Sequence, residues 1–275
     1  MSTPVPLRLR PLEIGDLLDE TFRMYRRHFL LFAGISVIIS APIAGFWGYL
    51  YFSLLNGVAE QAGTGQPLNV SNETLVAGVV VGVITLLLVP FNYGAVTYAV
   101  CESAQGRPVT AWGVVRGVGR KYFQIFGYVL VIALMTVAFC LLPLWIWILV
   151  GWVALLPVMF IENTGLIAAM GRSWRLTQGY WWRTLLILFL VFIVYYVAQI
   201  ALGAYLAGAQ FLVVIVLSSV TTAWIFSAAS IIVTSLVNPI IQIAVVLIYF
   251  DLRVRREAID LFQLAQRAAT PQPAS

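Results

Sequence analysis

The sequence predicts an all-α, polytopic helical membrane protein, with about six transmembrane helices and amphipathic interfacial helices on the cytoplasmic side. Three observations carry this expectation. Of 275 residues, 61% are apolar and 10% charged, against about 25% charged in an ordinary soluble domain, so the chain lacks the polar surface that water requires. The charges are also clustered, leaving the uncharged gaps 29–59, 74–101, 122–161 and 184–250. Finally, the sixteen basic residues flank these gaps in a one-sided way.

Residues 1–28 are expected to form a cytoplasmic amphipathic segment, 29–250 a single transmembrane domain and 251–275 a cytoplasmic tail. In the first segment Ile14, Leu17, Leu18, Phe22 and Tyr25 share one helical face, opposite Glu13, Asp16, Asp19, Glu20, Arg23, Arg26 and Arg27. Acids lead and arginines trail, which suits the helix dipole. Arginines before the apolar run at Phe29 imitate a signal peptide, but the acidic residues upstream do not fit one, and the run continues past Pro42. A retained first span over 29–51 is the expectation.

A spanning helix needs about 20 apolar residues. The second gap accommodates one, over 75–101. The third, divided by Pro143, reads as a tight hairpin with spans at 122–142 and 144–160. The fourth is too long for two straight spans. Helices at 184–206 and 228–250 leave residues 207–227 to lie at the outer interface or re-enter the membrane. Eight spans are the alternative if the whole gap 184–250 holds four short helices.

Basic residues favour the cytoplasmic side. Arg8, Arg10, Arg23, Arg26 and Arg27 precede the first span, and Arg107, Arg116, Arg120 and Lys121 follow the second. Arg172, Arg175 and Arg183 follow the fourth, and Arg253, Arg255, Arg256 and Arg267 follow the last. Six spans with both termini in the cytoplasm place all of them on one side of a plasma membrane. The spacing also suggests a threefold plan, an amphipathic basic stretch running into an apolar hairpin each time. In the second unit Trp112, Val115 and Val118 oppose Arg116 and Arg120. In the third Ile167, Met170, Trp174 and Trp181 oppose Arg172 and Arg175. Such helices would lie flat at the inner interface, with arginines toward anionic headgroups.

The chemistry-bearing motifs of common enzymes are missing. His28 is the only histidine, Cys101 and Cys140 lie in apolar runs, and no spacing for a metal, phosphate loop or catalytic triad occurs. These features argue against an enzyme, a metal and a cofactor. The basic residues form no nucleic-acid face. No acid, lysine, arginine or histidine falls inside an expected span, which argues against a proton relay. Glu102, Glu162 and Asp251 are expected to pair with nearby arginines. Trp145, Trp147, Trp152, Trp181 and Trp182 are expected to anchor at the interface.

Two sets of candidate site residues emerge. Arg172, Trp174, Arg175, Arg26, Arg27, Arg120 and Lys121 are candidates for lipid or partner binding, with anionic headgroups as the fitting ligand. Asn92, Ser230, Thr234 and Asn238 are candidates either for helix packing or for a polar path, the latter because Pro90 and Pro239 lie close by and could break the return helices.

Three stretches carry a family resemblance: Leu9 to Phe29, Glu162 to Arg183 around Ser173-Trp174-Arg175-Leu176-Thr177, and Tyr249 to Glu257. Together they resemble the bacterial family named for the glycerophosphoryl diester phosphodiesterase membrane domain. The resemblance implies an integral membrane protein without an assigned reaction. Some relatives carry a fused phosphodiesterase, which needs a metal-binding set of acids and histidines that this chain does not offer. The expected function is a non-enzymatic membrane scaffold or a partner- or lipid-binding component. The alternative is a transporter or permease-like component using the Ser/Thr-rich last spans.

Overall fold

The computed structural model describes residues 13–64, 70–137, 142–217 and 220–269. Arg8, Arg10, Cys140, Ser218 and Ser219 lie outside these residues, as does the side chain of Arg267. The described residues form ten α-helices and no strand: α1 (Ile14–Arg27), α2 (Phe29–Thr64), α3 (Asn72–Ala104), α4 (Ala111–Val137), α5 (Leu142–Gly151), α6 (Leu155–Ile161), α7 (Leu166–Thr177), α8 (Trp181–Leu217), α9 (Val220–Ser235) and α10 (Pro239–Ala269). Five segments are long and apolar enough to cross a membrane: Phe29–Val58, Asn72–Ala104, Leu144–Ile161, Trp181–Leu212 and Ile225–Glu257. Within uninterrupted helix the backbone hydrogen bonds close on themselves, as hydrocarbon demands.

Several boundaries differ from the sequence reading. Helices α2 and α8 contain 36 and 37 residues, about 54 Å each at 1.5 Å per residue, well beyond a hydrocarbon core of about 30 Å. Residues 207–217 simply continue α8 and 220–227 open α9, which packs back against it. The described part of that stretch is therefore helical, the end of α8 and the start of α9, and not a separate element. Its absence of charge allowed all of these readings, while the lack of proline lets the helix run on.

The expected tight hairpin of 122–142 and 144–160 is also revised. Helix α4 is continuous from its basic stretch at Ala111 and packs chiefly along α3, whereas α5 packs against α7 and α8. The 144–160 span is two helices, interrupted at 152–154. Likewise 228–250 is divided between α9 and α10, with a break at 236–238. Pro90 does not break its helix. It lies inside α3 just as Pro42 lies inside α2.

The densest packing joins the C-terminal half of α3, the first half of α4, α6, α7, the start of α8 and α10 around buried Val100, Val118, Leu155, Met159, Ile187, Leu247 and Tyr249. Glycines allow the closest crossings. A Cβ on Gly117 would run into the Tyr98 ring, and one on Gly151 into the Trp174 ring. Away from this core, α2, α3 and α8 present large apolar side chains outward, among them Val79, Phe192, Val197 and Ile200. These are the surfaces that acyl chains cover in a membrane protein.

Candidate functional site

Helix α1 does not leave its apolar face to lipid. Leu17, Thr21 and Met24 are buried, with α10 as the main neighbour of α1. Helix α7 docks through Ala169, Ser173, Leu176 and Thr177, while Ile167 is 85% exposed. The docked stripe is thus made mostly of small residues, while of the apolar face Ile167, Met170, Trp174 and Trp181 only Ile167 is exposed. Small side chains on the buried stripe permit a closer approach than the large ones: Ser173 Oγ donates to the Gly151 carbonyl at 2.9 Å, and Trp174 lies edge-on to Trp147 at 4.5 Å. Similarly, Val114 and Val118 are the buried valines of α4, and Trp112 and Val115 are exposed.

Two carboxylate-centred networks tie this end of the molecule together. Arg172 Nε donates to both Glu162 oxygens at 3.2 Å, and its Nη2 reaches Glu257 Oε1 at 3.2 Å. Glu257 also receives Arg253 Nε at 2.9 Å, while Tyr249 Oη donates to Glu162 at 3.1 Å. In the second network Asp251, whose side chain is 2% exposed, lies 3.4 Å from Arg183 and 3.0 Å from Arg255. Glu102 pairs with Arg107 at 3.4 Å. All three acids expected to find arginines have done so.

The candidate binding residues thus divide. Arg172 is held between Glu162 and Glu257, and Trp174 packs inward. Lys121 donates to the Met159 and Thr164 carbonyls, covering the C-terminal end of α6. Burial pushes its pKa below the ordinary lysine value. By contrast Arg26, Arg27, Arg120 and Arg175, together with Arg116, are exposed and form no ion pair among the described residues. They come from α1, α4 and α7, the three basic stretches.

Of the neutral candidates, Asn92 lies in α3 and Ser230 earlier in α9, whereas Thr234 and Asn238 lie at the break between α9 and α10. Proline has a specific consequence here: Pro239 lacks an N–H, so the Ser235 carbonyl loses its helical donor. Ser36 Oγ of α2 supplies one at 2.7 Å. Tyr25 Oη of α1 donates to the Leu236 carbonyl at 2.7 Å, and Gln199 Nε2 of α8 to the Thr234 carbonyl at 3.3 Å. Asn238 Oδ1 accepts from Tyr195 at 2.9 Å. Ser230 and Thr234 bond back to their own helix, and Asn92 Nδ2 donates to Ser40 Oγ at 3.1 Å. Sequence reasoning missed Tyr25, Ser36, Tyr195 and Gln199 as partners of this break. The only signal was polar residues spaced four apart, Tyr195 and Gln199, within an uncharged run.

Among the described residues no group of three or more His, Cys, Asp or Glu side chains is placed to hold a metal ion. The fold and these sites define an all-helical protein built to be embedded in a membrane. No protein-family model, curated protein or solved structure matches the chain.

Proposed function

We propose that this is a non-enzymatic scaffold of the plasma membrane that crosses six times, keeps both termini in the cytoplasm and binds anionic phospholipid or an acidic partner through its inner arginines. The sixth crossing is the apolar part of α4. One observation carries the reading: Arg26, Arg27, Arg116, Arg120 and Arg175 stay exposed and outside the carboxylate networks that engage Arg172, Arg183, Arg253 and Arg255. Among the described residues none of these five is matched by an acid. A guanidinium fork suits phosphate bidentately, and each basic residue near an anionic leaflet contributes about 1 kcal/mol. The resemblance of Leu9 to Phe29 and of Ser173-Trp174-Arg175 to the glycerophosphoryl diester phosphodiesterase membrane domain family implies only an integral membrane protein without an assigned reaction.

The test is lipid retention. Replacing Arg26, Arg27, Arg120 and Arg175 with Gln is expected to lower the ratio of anionic to neutral phospholipid that co-purifies in mild detergent, with insertion and elution volume unchanged. An unchanged ratio, together with unchanged co-purifying proteins, refutes the proposal.

A second reading, a transporter or permease-like component, is favoured by the α9–α10 break and its neutral polar partners. Against it, the Ser230 and Thr234 hydroxyls bond within their own helix. Solute-specific uptake by proteoliposomes, lost in Asn238→Ala, would favour transport over scaffolding.

A further inference from the structure

We infer that α1 is a latch on the α9–α10 break, and that anionic headgroups engaging Arg26 and Arg27 hold it closed through Tyr25. The inference rests on the lipid-binding reading above and adds a conformational consequence to it.

The break is suited to movement. The amides of Leu236, Val237 and Asn238 reach back only three residues, at 3.2, 3.2 and 3.3 Å, and Pro239 supplies no donor. Three successive carbonyls, those of Thr234, Ser235 and Leu236, also accept from side chains of other helices. Proline and side chains that interrupt the helical ladder are where helices kink, so the break is the place at which this segment can bend.

Two of the three donors lie on adjoining helices. Tyr25 lies near the end of α1 and Ser36 in the second turn of α2, and the single residue His28 separates the two helices. A displacement of α1 therefore acts on the Leu236 contact directly and on the Ser235 contact through α2. Tyr25 is also adjacent to Arg26 and Arg27, which are exposed beside it. The Leu17, Thr21 and Met24 face of the same helix is seated against the bundle. A phosphate drawn to Arg26 and Arg27 thus loads the helix that carries the latch, at the end where the latch sits.

Amide hydrogen exchange over residues 232–242 in nanodiscs tests this. With the wild-type chain, exchange is expected to be several-fold slower in phosphatidylglycerol-containing discs than in phosphatidylcholine discs. Arg26→Gln/Arg27→Gln removes that difference while leaving the fold intact, since both side chains are exposed. Tyr25→Phe, which deletes one hydroxyl, speeds exchange about tenfold in both discs and also removes the difference. If Tyr25→Phe fails to fold, the double arginine variant decides alone.

Equal exchange in the two discs, with phosphatidylglycerol shown to be retained by the wild type, overturns the latch and leaves lipid binding standing. A difference that persists in the double arginine variant overturns the role of Arg26 and Arg27. Slowing by inorganic phosphate in phosphatidylcholine discs overturns the assignment to a lipid headgroup.

Discussion

Ser36 Oγ donates at 2.7 Å to the Ser235 carbonyl, the group whose helical donor Pro239 removes. The hydroxyl on α2 thereby offsets a defect that proline creates between α9 and α10. In hydrocarbon such an acceptor has no water to turn to.

Ser36→Ala is therefore expected to destabilise the protein by about 1 kcal/mol, a modest loss because the Asn238 amide still reaches the same carbonyl at 3.3 Å. Ser36→Thr should restore most of the loss. Thermal unfolding in detergent checks both. A melting temperature unchanged in Ser36→Ala would show that the contact contributes nothing.

Asp251 and Glu102 give a paired contrast. Asp251→Asn leaves Arg183 and Arg255 facing a neutral side chain at a buried position and is expected to cost about 3 kcal/mol. Glu102→Gln breaks a pair whose arginine is 62% exposed, and the expected cost is near zero. Equal losses in the two variants would contradict the burial argument.

Gly151→Ala places a methyl group against the Trp174 ring and is expected to cost about 1–3 kcal/mol as overpacking. Gly119→Ala, with nothing within 4 Å of the added carbon, should be neutral or slightly stabilising. Comparing their unfolding midpoints tests whether α5 and α7 approach as closely as the structure has them.

His28 gives a pH dependence. Burial first, and then the Arg27 charge, lower its pKa from the ordinary value of 6.5. Protonation is thus harder in the folded chain than in the unfolded one. Its contribution to stability is constant above pH 6.5 and declines as pH falls from there through the lower folded value. The stability difference between wild type and His28→Asn should change in that window and level off below it. A difference independent of pH would refute the assignment.

The membrane class was legible because 61% apolar composition and uncharged gaps leave few alternatives. The Glu102, Glu162 and Asp251 ion pairs were legible too, since acids beside apolar runs need nearby cations. Helix ends were not. Between Thr184 and Phe250 no charge marks where α8 turns into α9. The seating of α7 was hidden for a different reason. Hydrophobicity marked the apolar Ile167 face but not the small Ala169 and Ser173 through which the helix docks. Nor does sequence spacing show that Arg172 meets Glu257, eighty-five positions away.

The one-sided placement of basic residues carries the whole account, and cysteine accessibility in intact cells measures it most directly. On a background lacking Cys101 and Cys140, a membrane-impermeant maleimide should label Gly63→Cys and Val70→Cys from outside. It should label Gly119→Cys, beside Arg120, only after permeabilisation. Labelling of position 119 in intact cells would put that arginine cluster outside and contradict the account.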